Sequence, residues 1–134
     1  MKLWVFSDLH LDVNTAFPFE LPAPRPVHDV VVIAGDIQEN MADAVRWLDR
    51  VGLNAKPVVY VGGNHEFYGH DRIGELAVAR EIAMAVTNVH ILERDAIVIG
   101  GVRFLGATLW TDYALYNDPI DGQFVAERML SDHR

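Results

Sequence analysis

The residues able to do chemistry fall into three short polar clusters: Asp8-Leu9-His10, Gly35-Asp36 and Gly63-Asn64-His65-Glu66. Asp8 and His10 are two apart, so in extended backbone they point the same way, and a carboxylate and an imidazole can grip one cation. Asp36 follows a glycine, which lets the chain turn and aim the carboxylate back over what precedes it. Its two oxygens can bridge two ions, and Asn64 adds a neutral amide oxygen. A donor set of oxygen and nitrogen without sulfur favours Mn, Fe, Zn or Mg over Cu(I) or an iron–sulfur cluster. Two cations about 3.5–4 Å apart suit phosphoryl chemistry, because they polarise phosphate oxygens and lower the pKa of a water between them. His65, beside this set, is suited to protonate a leaving oxygen or to stabilise transition-state charge. Taken singly, each cluster reads equally well as an ordinary strand-end turn.

What must position these residues is legible in the runs that precede them. Leu3 to Phe6 is a short apolar run. Val30-Val31-Val32-Ile33-Ala34 is β-branched and does not alternate, the pattern of a strand buried on both faces of a parallel sheet with helices on each side. Pro57 to Val61 is a third run. Asn40 is a helix cap, with Asp43 in the first turn, and Ala44, Trp47, Leu48 and Val51 form one apolar face before Gly52. A second helix is expected from Asp71 to about Val86, with Leu76, Ala79, Ala83 and Val86 on one face. Val89 to Leu92 reads as a strand. Ala96 to Ile99 and Val102 to Leu105 around Gly100-Gly101 read as a hairpin, and a last helix is expected over 124–131. Strand and helix alternate, so the fold class is α/β with a mostly parallel sheet. Ligands in such sheets bind beyond the carboxyl ends of the strands. Strands lie about 4.8 Å apart, so three parallel strands would bring the clusters together.

The three clusters in this order resemble the signature of the calcineurin-like metallophosphoesterase superfamily: D-x-H, then G-D, then G-N-H-[ED]. The resemblance covers roughly residues 1–110, most securely 3–66. It implies Asp8, His10 and Asp36 around one metal, Asp36 and Asn64 at a second, and His65 as the catalytic histidine. It also implies hydrolysis of a phosphomonoester or phosphodiester by metal-activated hydroxide, as a phosphatase or phosphodiesterase using two divalent ions. The fold it implies is the first half of a metallophosphoesterase-type α/β sandwich, a mostly parallel sheet flanked by helices with a C-terminal hairpin. Family members continue to a lone histidine and a G-H-x-H motif that complete both metal sites. Here only His70, His90 and His133 follow Glu66, and none forms that motif. On this comparison residues 1–134 form a single domain that is truncated at its C-terminus, with two protein ligands at the second metal.

Composition sets the outer bounds. Of 134 residues 51% are hydrophobic and 22% charged, which describes a folded domain and excludes disorder. A net charge of −8 disfavours binding to nucleic acid backbones. There is no cysteine, hence no disulfide, thiolate zinc site or thiol nucleophile. No apolar run reaches the roughly 20 residues of a bilayer span, and the N-terminus does not read as a signal peptide, so the expectation is a cytoplasmic protein with no membrane partner. A dinucleotide-binding site is set aside, since Ser7 to Asp12 has two acids and no glycine. The expected partner is a phosphorylated small-molecule or nucleotide substrate, with a homo-oligomer covering an open sheet face as a further option. The competing reading is a non-catalytic metal-binding remnant or interaction module. Glu66 reads as orienting a neighbour, His28 as surface, His70 as surface or capping with the site as its alternative, His90 as half-buried and structural, and His133 as a distant candidate ligand; Trp4 and Trp47 read as core, and Trp110 as core with the edge of the site as its alternative.

Overall fold

A computed structural model describes residues 1–13, 16 and 19–130. Leu3–Phe6 (β1), Val30–Ala34 (β2), Val58–Val61 (β3) and Val89–Ile91 (β4) form one sheet in the order β1-β2-β3-β4, with every pair parallel. Phe6 lies opposite Ile33, and Ile33 opposite Tyr60. The carboxyl ends of β1, β2 and β3 are therefore level, and the three polar clusters leave the sheet along one edge.

Residues of opposite parity along the strands bury into two different layers. Val31, Ile33, Val58, Tyr60, Val89 and Ile91 join a core with Met41–Arg50 (α1) and Arg72–Ala85 (α2). Val30, Val59 and Leu92, with Val32 and Val61, meet Ile97, Ile99 and Phe104 of the hairpin Asp95–Ile99 (β5) and Val102–Gly106 (β6). The non-alternating run of β2 thus signals burial on both faces, as expected, but its second face meets this hairpin where helices were expected on each side. The hairpin sits close: a Cβ on Gly106 would come 2.5 Å from the Leu92 Cβ and 2.7 Å from a Val61 methyl.

The helix ends follow from capping chemistry. Asn40 accepts a hydrogen bond from the Asp43 N–H at 2.9 Å, and Asp71 accepts from the Gly74 N–H at 2.7 Å. Asp71, not the exposed His70, is the cap of α2. Gly52 turns the chain out of α1 at φ 66°. The last helix, Pro119–Met129 (α3), starts five residues before the sequence expectation. The signal was an Asp118 cap, accepting from the Asp121 N–H, followed by proline at the first helical position. Ser131, the expected end, lies outside the described residues, as does His133.

The proline-rich crossing from β1 to β2 is tied down by charged ends. Arg25 donates to the Val51 and Gly52 carbonyls at the C-terminus of α1, and Lys56 donates to the His28 carbonyl. His28 is not a free surface residue: its ring packs on Trp4 with centroids 5.2 Å apart. Trp4 itself packs half-buried against the core, and Trp47 is buried in it. No helix among the described residues is long and apolar enough to cross a membrane.

Glu75 couples the two core helices. It is buried in the first turn of α2, and its carboxylate accepts from the Ala42 N–H at 3.0 Å and the Asn40 amide at 3.4 Å, at the positive end of α1. Glu75→Ala leaves a buried N–H unpaired, and the expected loss in urea-unfolding stability is about 1–3 kcal/mol. The exposed Glu81→Ala on the same helix should stay within about 0.5 kcal/mol.

Candidate metal centre

Beyond the sheet the strand-end loops continue to pair. The Asp8 N–H donates to the Gly35 carbonyl at 3.1 Å, His10 N–H to the Asp36 carbonyl at 3.1 Å, and Leu11 N–H to the Ile37 carbonyl at 2.9 Å. This lacing puts Asp8 and His10 against Asp36, with one potential ligand atom of each lying within 4.8 Å of the other two. The His10 Nε2 and Asp8 Oδ1 atoms are 3.9 Å apart.

The convergence does not arise from extended backbone, as the two-residue spacing implied. Asp8, His10 and Asp36 all have positive φ, at 56°, 45° and 55°. Non-glycine residues rarely adopt such angles, and they hold them where surrounding contacts impose them. The imposed conformation turns two carboxylates and an imidazole to one point.

Beside them, the loop after β3 is held by one carboxylate. Glu66 is fully buried. Its Oε1 accepts from the Ile37 N–H at 2.8 Å and the Tyr60 hydroxyl at 2.7 Å, and its Oε2 accepts from the Asp36 N–H at 3.0 Å and the Gly63 N–H at 2.7 Å. The expected orienting role of Glu66 is what the geometry displays. Burial, and then the neighbouring Glu66 charge, push the Tyr60 hydroxyl well above its ordinary pKa, so it stays a donor.

The Asp36 carboxylate is aimed by a second contact, the His65 N–H donating to Oδ1 at 3.0 Å. It passes so close to the chain that a Cβ on Gly63 would lie 2.1 Å from that oxygen, and a Cβ on Gly35 2.6 Å from the Gly63 nitrogen. Only glycine fits at either position.

Asn64 and His65 open a short 3₁₀ turn, His65–Phe67. The Asn64 amide nitrogen donates to the Tyr68 hydroxyl at 2.8 Å, which commits that end of the amide and leaves its oxygen for another use. The His65 ring packs edge-on to His10 at 4.4 Å and against Tyr68 at 4.5 Å. Its Nδ1 is 3.8 Å from the Asp12 carboxylate, an ion-pair distance too long for a hydrogen bond. His10 Nδ1 and His65 Nδ1 are the buried side-chain polar atoms that find no hydrogen-bond partner among the described residues. Two carboxylates and an imidazole this close, with no sulfur, fit one divalent cation well. Asp36 and Asn64 also line one common cavity.

Several contributors were not singled out in the sequence: Asp12 beside His65, Tyr68 beside Asn64, Tyr60 under Glu66, and Thr108. Tyr60 carried a signal, as one hydroxyl in an otherwise aliphatic strand. Thr108, just past β6, donates its hydroxyl to the Gly62 carbonyl at 2.7 Å, while its N–H goes to Glu93 at 3.1 Å. Burial pushes the Glu93 carboxyl up, but Thr108, Arg72 and Arg94 outweigh that and leave it below the usual range. Trp110 takes the second of its two expected places. It is 60% exposed, not core, and lines the cavity next to Asp36 and Asn64.

The order of clusters, the level strand ends and the ligand geometry agree with the comparison to protein families. The chain belongs to the calcineurin-like phosphoesterases, whose family model matches residues 1–127. Metal-dependent phosphoester hydrolysis is that family's chemistry. No curated protein matches the chain.

Two substitutions measure the Glu66 network. Tyr60→Phe removes one of four donors and should cost about 1 kcal/mol, whereas Glu66→Ala strands the other partners and should cost about 3 kcal/mol or more in denaturant unfolding. Tyr60 also gives a pH signature. Because its pKa is raised in the folded state, its contribution is complete below about pH 10, the unfolded value, and declines as pH rises above it. Tyr60→Phe should therefore flatten the alkaline loss of stability in a melting series.

Proposed function

We propose that this chain is a hydrolase of phosphomonoesters or phosphodiesters in which Asp8, His10 and Asp36 hold one divalent ion and Asp36 and Asn64 hold a second. The observation that carries the reading is the convergence of Asp8, His10 and Asp36 on one point through three strained backbone positions at level strand ends. Such strain is retained where it serves a site. Mn, Fe, Zn or Mg suits these donors. Bound there, the ions supply charge to polarise the phosphoryl oxygens and to make hydroxide available near neutral pH.

The remaining work falls to the chain. His65 lies against His10 with its main-chain N–H on Asp36, so its ring is held at the rim of the ligand set. From there it donates a proton to the leaving oxygen or a hydrogen bond to the developing charge. The Asp12 carboxylate faces the ring from its Nδ1 side, 3.8 Å away. The Glu66 carboxylate holds the Asp36 and Gly63 main chain, which keeps Asp36 and Asn64 in register.

A second reading keeps ion binding without turnover. It is favoured by one observation: among the described residues Asp8, His10 and Asp36 are the one group of three that can hold an ion, and neither His70 nor His90 joins it.

Hydrolysis of bis(4-nitrophenyl) phosphate and 4-nitrophenyl phosphate with and without Mn²⁺ tests both readings. Turnover is expected only with Mn²⁺. Asp36→Asn should abolish turnover and tight Mn²⁺ binding together. His65→Ala should lower kcat by about 10²-fold or more while Mn²⁺ affinity stays within a few-fold. A folded chain that binds Mn²⁺ and hydrolyses neither ester overturns the enzyme reading in favour of the second.

A further inference from the structure

The cavity beside the ligand set measures about 530 Å³ and draws its lining from two sources. Asp36, Gly63 and Asn64 come from the strand-end loops, and Leu109, Trp110 and Tyr113 come from the segment that follows β6. That size lies within the range of small-molecule sites. One part is the place where a phosphoryl group would sit, and the other part is aromatic and apolar.

The aromatic part is held in place. Two residues before Trp110, the Thr108 hydroxyl is bonded to the Gly62 carbonyl, which belongs to the same loop as Asn64. Behind Tyr113, Gly122 of α3 packs so closely that a Cβ there would lie 2.8 Å from the Tyr113 carbonyl oxygen. Tyr113 itself adopts φ 60°, a left-handed conformation rare for an aromatic residue. The segment is therefore fixed to the phosphoryl side at one end and braced by a helix at the other. It keeps an indole 60% exposed, whereas Trp47 is buried and Trp4 packs on His28.

We infer that Trp110 is a specificity-determining residue that stacks on a planar aromatic group of the substrate, and that the substrate is a phosphoester of a nucleoside. The inference rests on the phosphoesterase reading, since it takes a phosphoryl group to be what lies at the Asp36 side. A nucleoside phosphate has the matching two-part chemistry: an anionic group for the ion site, and a base with a π-face for the indole. Stacking of a base on an aromatic side chain is sequence-tolerant, so the class of ligand follows and the identity of the base does not.

The test is calorimetric binding of AMP and of ribose 5-phosphate to the folded chain with Mn²⁺ present, compared with Trp110→Ala and Trp110→Phe. Both phosphates offer the same anion, and only AMP carries a base. The expected result is an AMP affinity on the order of 10-fold higher than that of ribose 5-phosphate. Trp110→Ala should erase that difference without changing ribose 5-phosphate binding, and Trp110→Phe should retain part of it. Equal affinity of the parent chain for the two ligands, no AMP binding, or an AMP preference that survives in Trp110→Ala overturns the inference. Failure here is separable from failure of the hydrolase reading. Mn²⁺-dependent turnover with no AMP preference sinks the stacking role alone. A Trp110-dependent AMP preference in a chain without turnover sinks hydrolysis alone.

Discussion

The buried carboxylate of Glu66 is the constraint on which the site depends. A charge taken out of water is costly unless it is fully hydrogen-bonded. Here it is matched by four donors from three directions: the loop after β2, the loop after β3, and a tyrosine in the core. Because the bonds to Asp36 and Gly63 share one oxygen, the two strand ends cannot drift apart without stranding it. The polar network thus converts the level register of a parallel sheet into a fixed distance between loops.

A second tier of constraint is steric. With glycine at 35 and 63, the Asp36 side chain passes against the backbone of the neighbouring loop, and no other residue leaves that space open. Hydrogen bonds between the loops after β1 and β2 then bring Asp8 and His10 to Asp36. Side-chain placement at this centre is therefore set mainly by main-chain contacts, which is why it stays well defined although Asp8 is exposed and His10 only half-buried.

Much of this was legible in the residues. The strands, the first two helices and the hairpin follow from apolar runs, caps and a Gly-Gly turn, because those signals are local. The polar clusters were legible as chemistry because each terminates a strand of one parallel sheet. Less legible was anything decided across the fold. The hairpin, not a helix layer, meets the second face of the sheet over β2 and β3 and leaves Leu3 and Val5 of β1 exposed, since a run of valines reports burial and not what buries it. The positive φ of Asp8 and His10 comes from pairing with the β2 loop, which the two-residue spacing does not encode. Asp12 near His65 and Trp110 near Asn64 depend on loops without periodicity. Trp110 reads as core first because tryptophan usually is, and the site edge that was its alternative is where Thr108, reaching Gly62, holds it.

The three strained residues at the ligand set have a thermodynamic corollary. Asp8 and Asp36 bring like charges together on backbone that is itself raised in energy, so this corner is among the least favourable parts of the folded chain when nothing binds it. A divalent ion that binds only the folded form repays that cost and shifts the folding equilibrium by mass action. The free concentration of such an ion would then help to set the margin by which the chain stays folded.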